Sequence, residues 1–214
     1  MFQIDGCVSD LIRKENQQEP NLCLIDLTDD WGKLKERVDE LRQFFNQHPE
    51  NVPGQVFQDM LVVGEDHRYH CHLGFDVVAL IRAIWRTYFC GDRQGGSTIA
   101  MQAVRTVTGR YDRSISRKIR EIILACKLTI YAPRGLIPPM YLWIAYYGSS
   151  MDNFQQACIR LKIDNLSASV LDAATLVACL KYPMPKIPSE NHQDRIRNRI
   201  KHLSRKYRML KGSV

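Results

Sequence analysis

The sequence predicts a mainly α-helical protein, and three observations carry that expectation. From Val56 onward, apolar residues recur at three- and four-residue spacing over most of the chain. Ser, Thr and Asp stand where those periodic runs begin, as helix caps do. Alternating, strand-like patterns are weak in the same stretch, and no internal repeat is visible.

In chain order, Leu22–Leu27 reads as a short strand. Thr28-Asp29-Asp30 caps a helix through Trp31, Leu34, Val38, Leu41 and Phe45. His48 to Gly54 is rich in turn residues and reads as a linker. That places a boundary near 52, with residues 1–52 as an appendage carrying no functional motif and 53–214 as the main domain. Helices are expected over Phe57–Glu65 and, capped by Asp76, over Val77–Phe89. After a Gly91–Gly96 loop, Ser97 or Thr98 caps a helix to about Val107. Ser114 starts another to about Ile130, with Ile115, Ile119, Ile122, Ile123 and Cys126 as its buried side. Pro138-Pro139 suits the first turn of a helix reaching Tyr147. Three more follow at Asn153–Leu161, Ser169–Leu180 and Gln193–Leu210. The last carries a basic face, read as solvated, around the stripe Ile196, Ile200, Leu203, Tyr207 and Leu210.

The 214 residues, 45% of them hydrophobic, suffice for one sizeable core. A net charge of +7 suits a polyanionic partner: nucleic acid, anionic lipid or a phosphate-bearing substrate. The seven cysteines are scattered, without a CxxC pair, which excludes a zinc ribbon pattern and suits a reducing compartment. No apolar stretch reaches the length of a membrane span, and Met1 to Asp10 does not read as a signal peptide.

Three clusters carry chemistry. Glu65 to Asp76 packs acids, imidazoles and a glycine break at one helix end, where a carboxylate can serve as a general base. A metal site is disfavoured there, because His67, His70, Cys71 and His72 crowd too closely for four ligands of one tetrahedral ion. Gly95-Gly96-Ser97-Thr98-Ile99 has the form of a phosphate cradle at a helix start. Arg117, Lys118 and Glu121 share one helical face, either as an exposed ion pair or, with Arg105, Arg110, Arg113 and Arg120, as a basic groove for a diphosphate.

Together these clusters resemble peptidoglycan glycosyltransferase family 51, which comprises monofunctional biosynthetic transglycosylases and the glycosyltransferase domains of class A penicillin-binding proteins. Glu65-Asp66-x-x-Tyr69-x-x-His72-x-Gly74-x-Asp76, Gly95-Gly96-Ser97-Thr98-Ile99-x-x-Gln102 and Arg117-Lys118-x-x-Glu121 match its motifs in order and spacing. The resemblance implies a lysozyme-like helical core lobe with a smaller, membrane-touching jaw lobe. It implies polymerisation of lipid II into glycan strands with inversion and release of undecaprenyl diphosphate. Glu65 would be the catalytic base, and Glu121 would assist departure of the diphosphate. Asp66, Tyr69, His72, Ser97, Thr98, Gln102, Arg105, Arg117 and Lys118 would bind substrate. A divalent cation, magnesium or manganese, at the diphosphate is the one cofactor it admits.

The implied partners are lipid II, the lipid-linked glycan chain, other cell-wall synthesis proteins and a membrane surface, but no nucleic acid. The apolar run Val77–Phe89 would touch the membrane, with Arg82 and Arg86 snorkelling toward headgroups; an ordinary core helix is the alternative. The implied location is the outer face of the bacterial cytoplasmic membrane, with the cytoplasm as the alternative. The chain departs from the family pattern at Met101, Arg105, Thr106, Pro139 and Trp143, where the family has Gln, Lys, Asn, Glu and Asn. A non-catalytic module binding lipid-linked glycan or a cell-wall partner, and a lysozyme-like hydrolase using two carboxylates, are the competing functions.

Overall fold

A computed structural model of the protein describes residues 26–89, 95–112 and 114–212. The expected strand at 22–27 and the loop at 91–96 fall largely outside them, as do Cys7, Cys23, Cys90 and Arg113. The described residues form nine α-helices: α1 (Thr28–Gln47), α2 (Gln55–Glu65), α3 (Val77–Phe89), α4 (Ile99–Thr108), α5 (Ile115–Tyr131), α6 (Ile137–Ile144), α7 (Phe154–Leu161), α8 (Val170–Lys181) and α9 (Glu190–Lys211). Among them the only extended pairings are isolated bridges from Gly148 to Met151 and to Met184. The mainly α fold is as the periodicity predicts.

Side chains from α1, α2 and α4 through α9 share one apolar core. Leu34, Val38, Leu41 and Phe45 place α1 in it, although α1 lies before the boundary expected at 52. Buried Asp30 adds a polar anchor: Arg110 Nε donates to its Oδ2 at 2.9 Å and Arg120 Nη1 at 3.2 Å. Caps fall where hydroxyls and amides allow. Thr98, Ser114, Asn153, Ser169 and Ser189 each accept a first-turn N–H of the following helix.

Two expectations about faces are corrected. On α5 the buried residues are Glu121, Leu124, Ala125, Leu128 and Thr129, while Ile115 is 81% exposed and Ile119 and Ile123 are also exposed. The helix is rotated so that Glu121 points inward and Ala125 meets Gly74. Gly74, at φ +82°, runs so close to the Ala125 backbone and the Thr129 hydroxyl that a Cβ would collide with both. On α9, Ile196 and Leu203 are buried as expected, but Arg199 and Lys206 lie on the same stripe and turn inward with them.

The substitutions at α6 are absorbed. Its two prolines occupy the first helical turn, where a missing N–H leaves no helix bond unmade. Trp143 stacks against Phe44 and Phe45 of α1 and Phe154 of α7, at centroid distances of 5.2, 5.8 and 6.3 Å.

Helix α3 stands differently. Leu73, Val77, Val78, Ile81, Trp85 and Phe89 are all exposed, Phe89 by 76%. Ala83 is buried, and Gly96 lies against Leu80 and Ala83 at a separation that a Cβ would shorten to 3.2–3.3 Å. Gly96 therefore packs on the inner side of α3, away from the exposed apolar side.

Candidate functional site

Glu65 and Glu121 stand on either side of α4, which links them. Gln102 and Arg105 are one turn apart on that helix. Gln102 Nε2 donates to Glu65 Oε2 at 3.4 Å, and Arg105 Nη2 donates to Glu121 Oε1 at 2.7 Å. Gln102 is fixed from behind by Tyr141, whose hydroxyl donates to its Oε1 at 2.7 Å. Burial, aided by the Glu65 charge, pushes the Tyr141 phenol above its ordinary value, so it stays a donor.

Glu121 is 3% exposed and is ringed by cations. Arg117 contacts its Oε2, and Lys118 Nζ lies 3.7 Å from its Oε1. A carboxylate at such depth requires partners. Three cations against one carboxylate leave the cluster about two charges positive. Burial lowers the Lys118 ammonium from its ordinary value; Glu121 opposes that shift and Arg105 and Arg117 add to it. Ser97 joins two of the cations, since its Oγ accepts from Lys118 Nζ at 3.0 Å and from Arg105 Nη2 at 3.4 Å. Glu121 and its cations thus form a buried, net-positive cluster, not an exposed ion pair.

On the other side, Glu65 opens on a cleft of about 810 Å³ lined by Ser97, Gln102, Arg105, Arg199, Lys206 and Lys181 among others. Arg82 and Arg86 also line it. Arg199 Nη2 donates to Glu65 Oε1 at 2.7 Å, and Lys206 Nζ donates to the Val63 carbonyl at 2.6 Å. The sequence reading missed Arg199 and Lys206. The signal was there: two cations on the apolar stripe of Ile196 and Leu203, where a solvated face has no place for them.

The remaining residues named from the sequence lie behind this surface. Asp66 Oδ1 pairs with His72 Nε2 at 2.9 Å, and its Oδ2 accepts the Ile99 N–H at 3.2 Å. Thr98 donates to the Gly74 carbonyl at 2.6 Å and accepts from the Met101 N–H at 3.2 Å. Tyr69 donates to the Arg134 carbonyl at 2.6 Å. Arg134 in turn donates to the carbonyls of His70 and His72 at 2.9 and 2.7 Å. The Ile99 and Met101 N–H groups at the start of α4 are thus taken up within the protein. Side chains at Ser97, Arg105 and Lys118 form the polar surface beside it.

Among the described residues no three or more His, Cys, Asp or Glu side chains converge as a metal site would require. Glu121 is a single carboxylate already held by three cations, whereas a hard divalent ion takes several oxygen ligands. That donor set is no protein cage for magnesium or manganese; an ion at the diphosphate would take most of its ligands from phosphate and water.

The sequence model of one family, described as Transglycosylase, matches residues 33–208. A Staphylococcus haemolyticus protein named monofunctional glycosyltransferase is 32% identical over 176 residues, covering 77% of this chain and 64% of that protein. Proteins of the same name from Staphylococcus epidermidis and Staphylococcus aureus are 32% and 33% identical, covering 68% and 58% of this chain and 58% and 47% of their own lengths. The chain thus spans about half to just under two thirds of the relatives it matches.

Proposed function

The chain belongs to the transglycosylase family, and from that premise we propose that it is a peptidoglycan glycosyltransferase joining lipid-linked disaccharides into glycan strands. The observation that carries the reading is the pair of carboxylates, Glu65 and Glu121, set in opposite environments across α4. Glu65 faces an open cleft and can accept a proton. Glu121 is sealed within three cations that can receive a diphosphate.

In this reading the donor's diphosphate lies against Arg105, Arg117, Lys118 and Ser97. The acceptor's sugar hydroxyl enters the cleft at Glu65. As the hydroxyl oxygen attacks the anomeric carbon, its proton passes to the Glu65 carboxylate. The bond to the diphosphate breaks on the opposite side, which inverts the carbon, and the leaving group departs with the electron pair. The fixed cations stabilise the charge developing on it, as preorganised charges do in a partly dry site. Glu121 holds those cations in register. A hydrolase has a neutral leaving group and no use for three clustered cations, so the basic pocket favours transfer.

The uncovered apolar side of α3 would rest on the outer face of the cytoplasmic membrane, where lipid-linked substrates reside, with the cleft opening beside it. No helix among the described residues is long and apolar enough to cross a membrane.

Incubation with lipid II in detergent, with glycan products separated on a gel, tests the proposal. Polymer is expected from the native chain and none from Glu65→Gln. A native chain that yields no polymer while still binding lipid II would favour a non-catalytic binding module. Soluble fragments released from finished peptidoglycan would favour a hydrolase.

A further inference from the structure

Arg199 holds the group that the proposed reaction depends on most. It reaches Glu65 from 134 residues away, and its side chain is 12% exposed against 18% for Glu65. One nitrogen, Nη2, donates both to Glu65 Oε1 at 2.7 Å and to the Gly64 carbonyl at 3.1 Å. The guanidinium is therefore fastened to the last turn of α2 as well as to the carboxylate. Among the described residues the other carboxylate oxygen, Oε2, has only the longer 3.4 Å contact from Gln102. The two oxygens of Glu65 are thus unequal: Oε1 accepts a short charge-assisted bond, and Oε2 accepts a long neutral one that leaves it the freer to take a proton.

Resting on the transferase reading above, we infer that Arg199 is a positioning residue that orients Glu65 for catalysis. By taking Oε1 it fixes the carboxylate plane and leaves Oε2 as the atom that receives the acceptor hydroxyl's proton. The hydroxyl oxygen forms the new bond to the anomeric carbon, the diphosphate leaves with the old bond's electron pair, and the proton ends on Oε2. Helix α9 is then part of the catalytic unit. Lysine replaces this arginine only in part, because it carries its charge as a strongly hydrated point on a flexible stem and does not hold a planar donor group in one orientation.

The test compares Arg199→Ala, Arg199→Lys and Arg197→Ala in the full chain, with lipid II in detergent as substrate. Arg197 pairs with Asp194 on the exposed side of the same helix and serves as the control. For Arg199→Ala, kcat should fall roughly 10- to 100-fold, with KM for lipid II held within about twofold. Millimolar guanidinium chloride should restore part of kcat by refilling the vacated place. Arg199→Lys should fall between Arg199→Ala and the native chain, and Arg197→Ala should match the native chain. A second readout needs no turnover: the 13C-carboxyl resonance of Glu65, assigned by its loss in Glu65→Gln, should move in Arg199→Ala and move back with guanidinium. An unchanged kcat in Arg199→Ala, or a resonance that stays in place, overturns the inference. If Arg199→Ala fails to fold, Arg199→Lys decides by the same two readouts. If the native chain forms no polymer, the transferase reading falls by itself, and the resonance still shows whether Arg199 fixes the carboxylate.

Discussion

At the scale of single residues, polar side chains of one sequence motif divide between surface and interior. Glu65 faces the cleft, while its neighbour Asp66 is buried and joins His72 to the Ile99 N–H. Substitutions should separate the two. Asp66→Ala removes both bonds from a buried site and should cost about 2 kcal/mol, read as a fall of roughly 4–8 °C in the unfolding midpoint for a chain of this size. Gln102→Ala should leave that midpoint within about 2 °C and lower kcat, because it removes the donor between Tyr141 and Glu65. The motifs alone located both carboxylates and the cations at 105, 117 and 118. They could not separate Ser97, which joins the cations, from Thr98, which is spent on Gly74 and Met101. That distinction depends on which way α4 is rolled, and roll is decided by packing.

At the scale of elements, the cleanest failure of periodicity is α5. Its isoleucines at 115, 119 and 123 mark an apolar stripe, yet the buried stripe runs through Glu121, Leu124 and Leu128. An acid counted as surface-seeking is here the element's anchor, because Arg105 and Arg117 offset its burial. The opposite holds for α3, whose apolar side is expected from sequence and remains uncovered in the fold. Each large apolar side chain moved out of water is worth roughly 1.5–3 kcal/mol, so one polar replacement should be measurable. Ile81→Asp or Trp85→Asp should reduce co-sedimentation with vesicles of mixed neutral and anionic phospholipid about tenfold or more, without altering the helical circular dichroism. Equal sedimentation of variant and native chains would remove α3 as the contact.

At the scale of the whole molecule, positive charge gathers around the cleft, and two histidines record it. His67 is pushed below its ordinary value by burial and then by Lys206 and Arg82. His202 is lowered by burial and then by Arg199, Lys206 and Lys181. A lowered folded value means that the unfolded chain binds these protons first as pH drops past 6.5. Stability should therefore be full above that value and decline as the solution is acidified through the folded values. The urea midpoint should be lower at pH 5.5 than at pH 7.5, and a His67→Asn, His202→Asn double variant should flatten part of that slope. An unchanged slope would assign the acid sensitivity to the carboxylates.

The same α2–α9 junction has a consequence for how the protein is made. Glu65 leaves the ribosome long before Arg199, which follows 134 residues later. At ordinary rates of translation that is an interval on the order of ten seconds. Through that interval the nascent chain carries its future base without the arginine that will fasten it. Helices α2, α4 and α5 can already bring Glu121 and its cations together. The cleft gains its last wall only when α9 docks, so the order of synthesis postpones a finished site until the rest of the fold is in place.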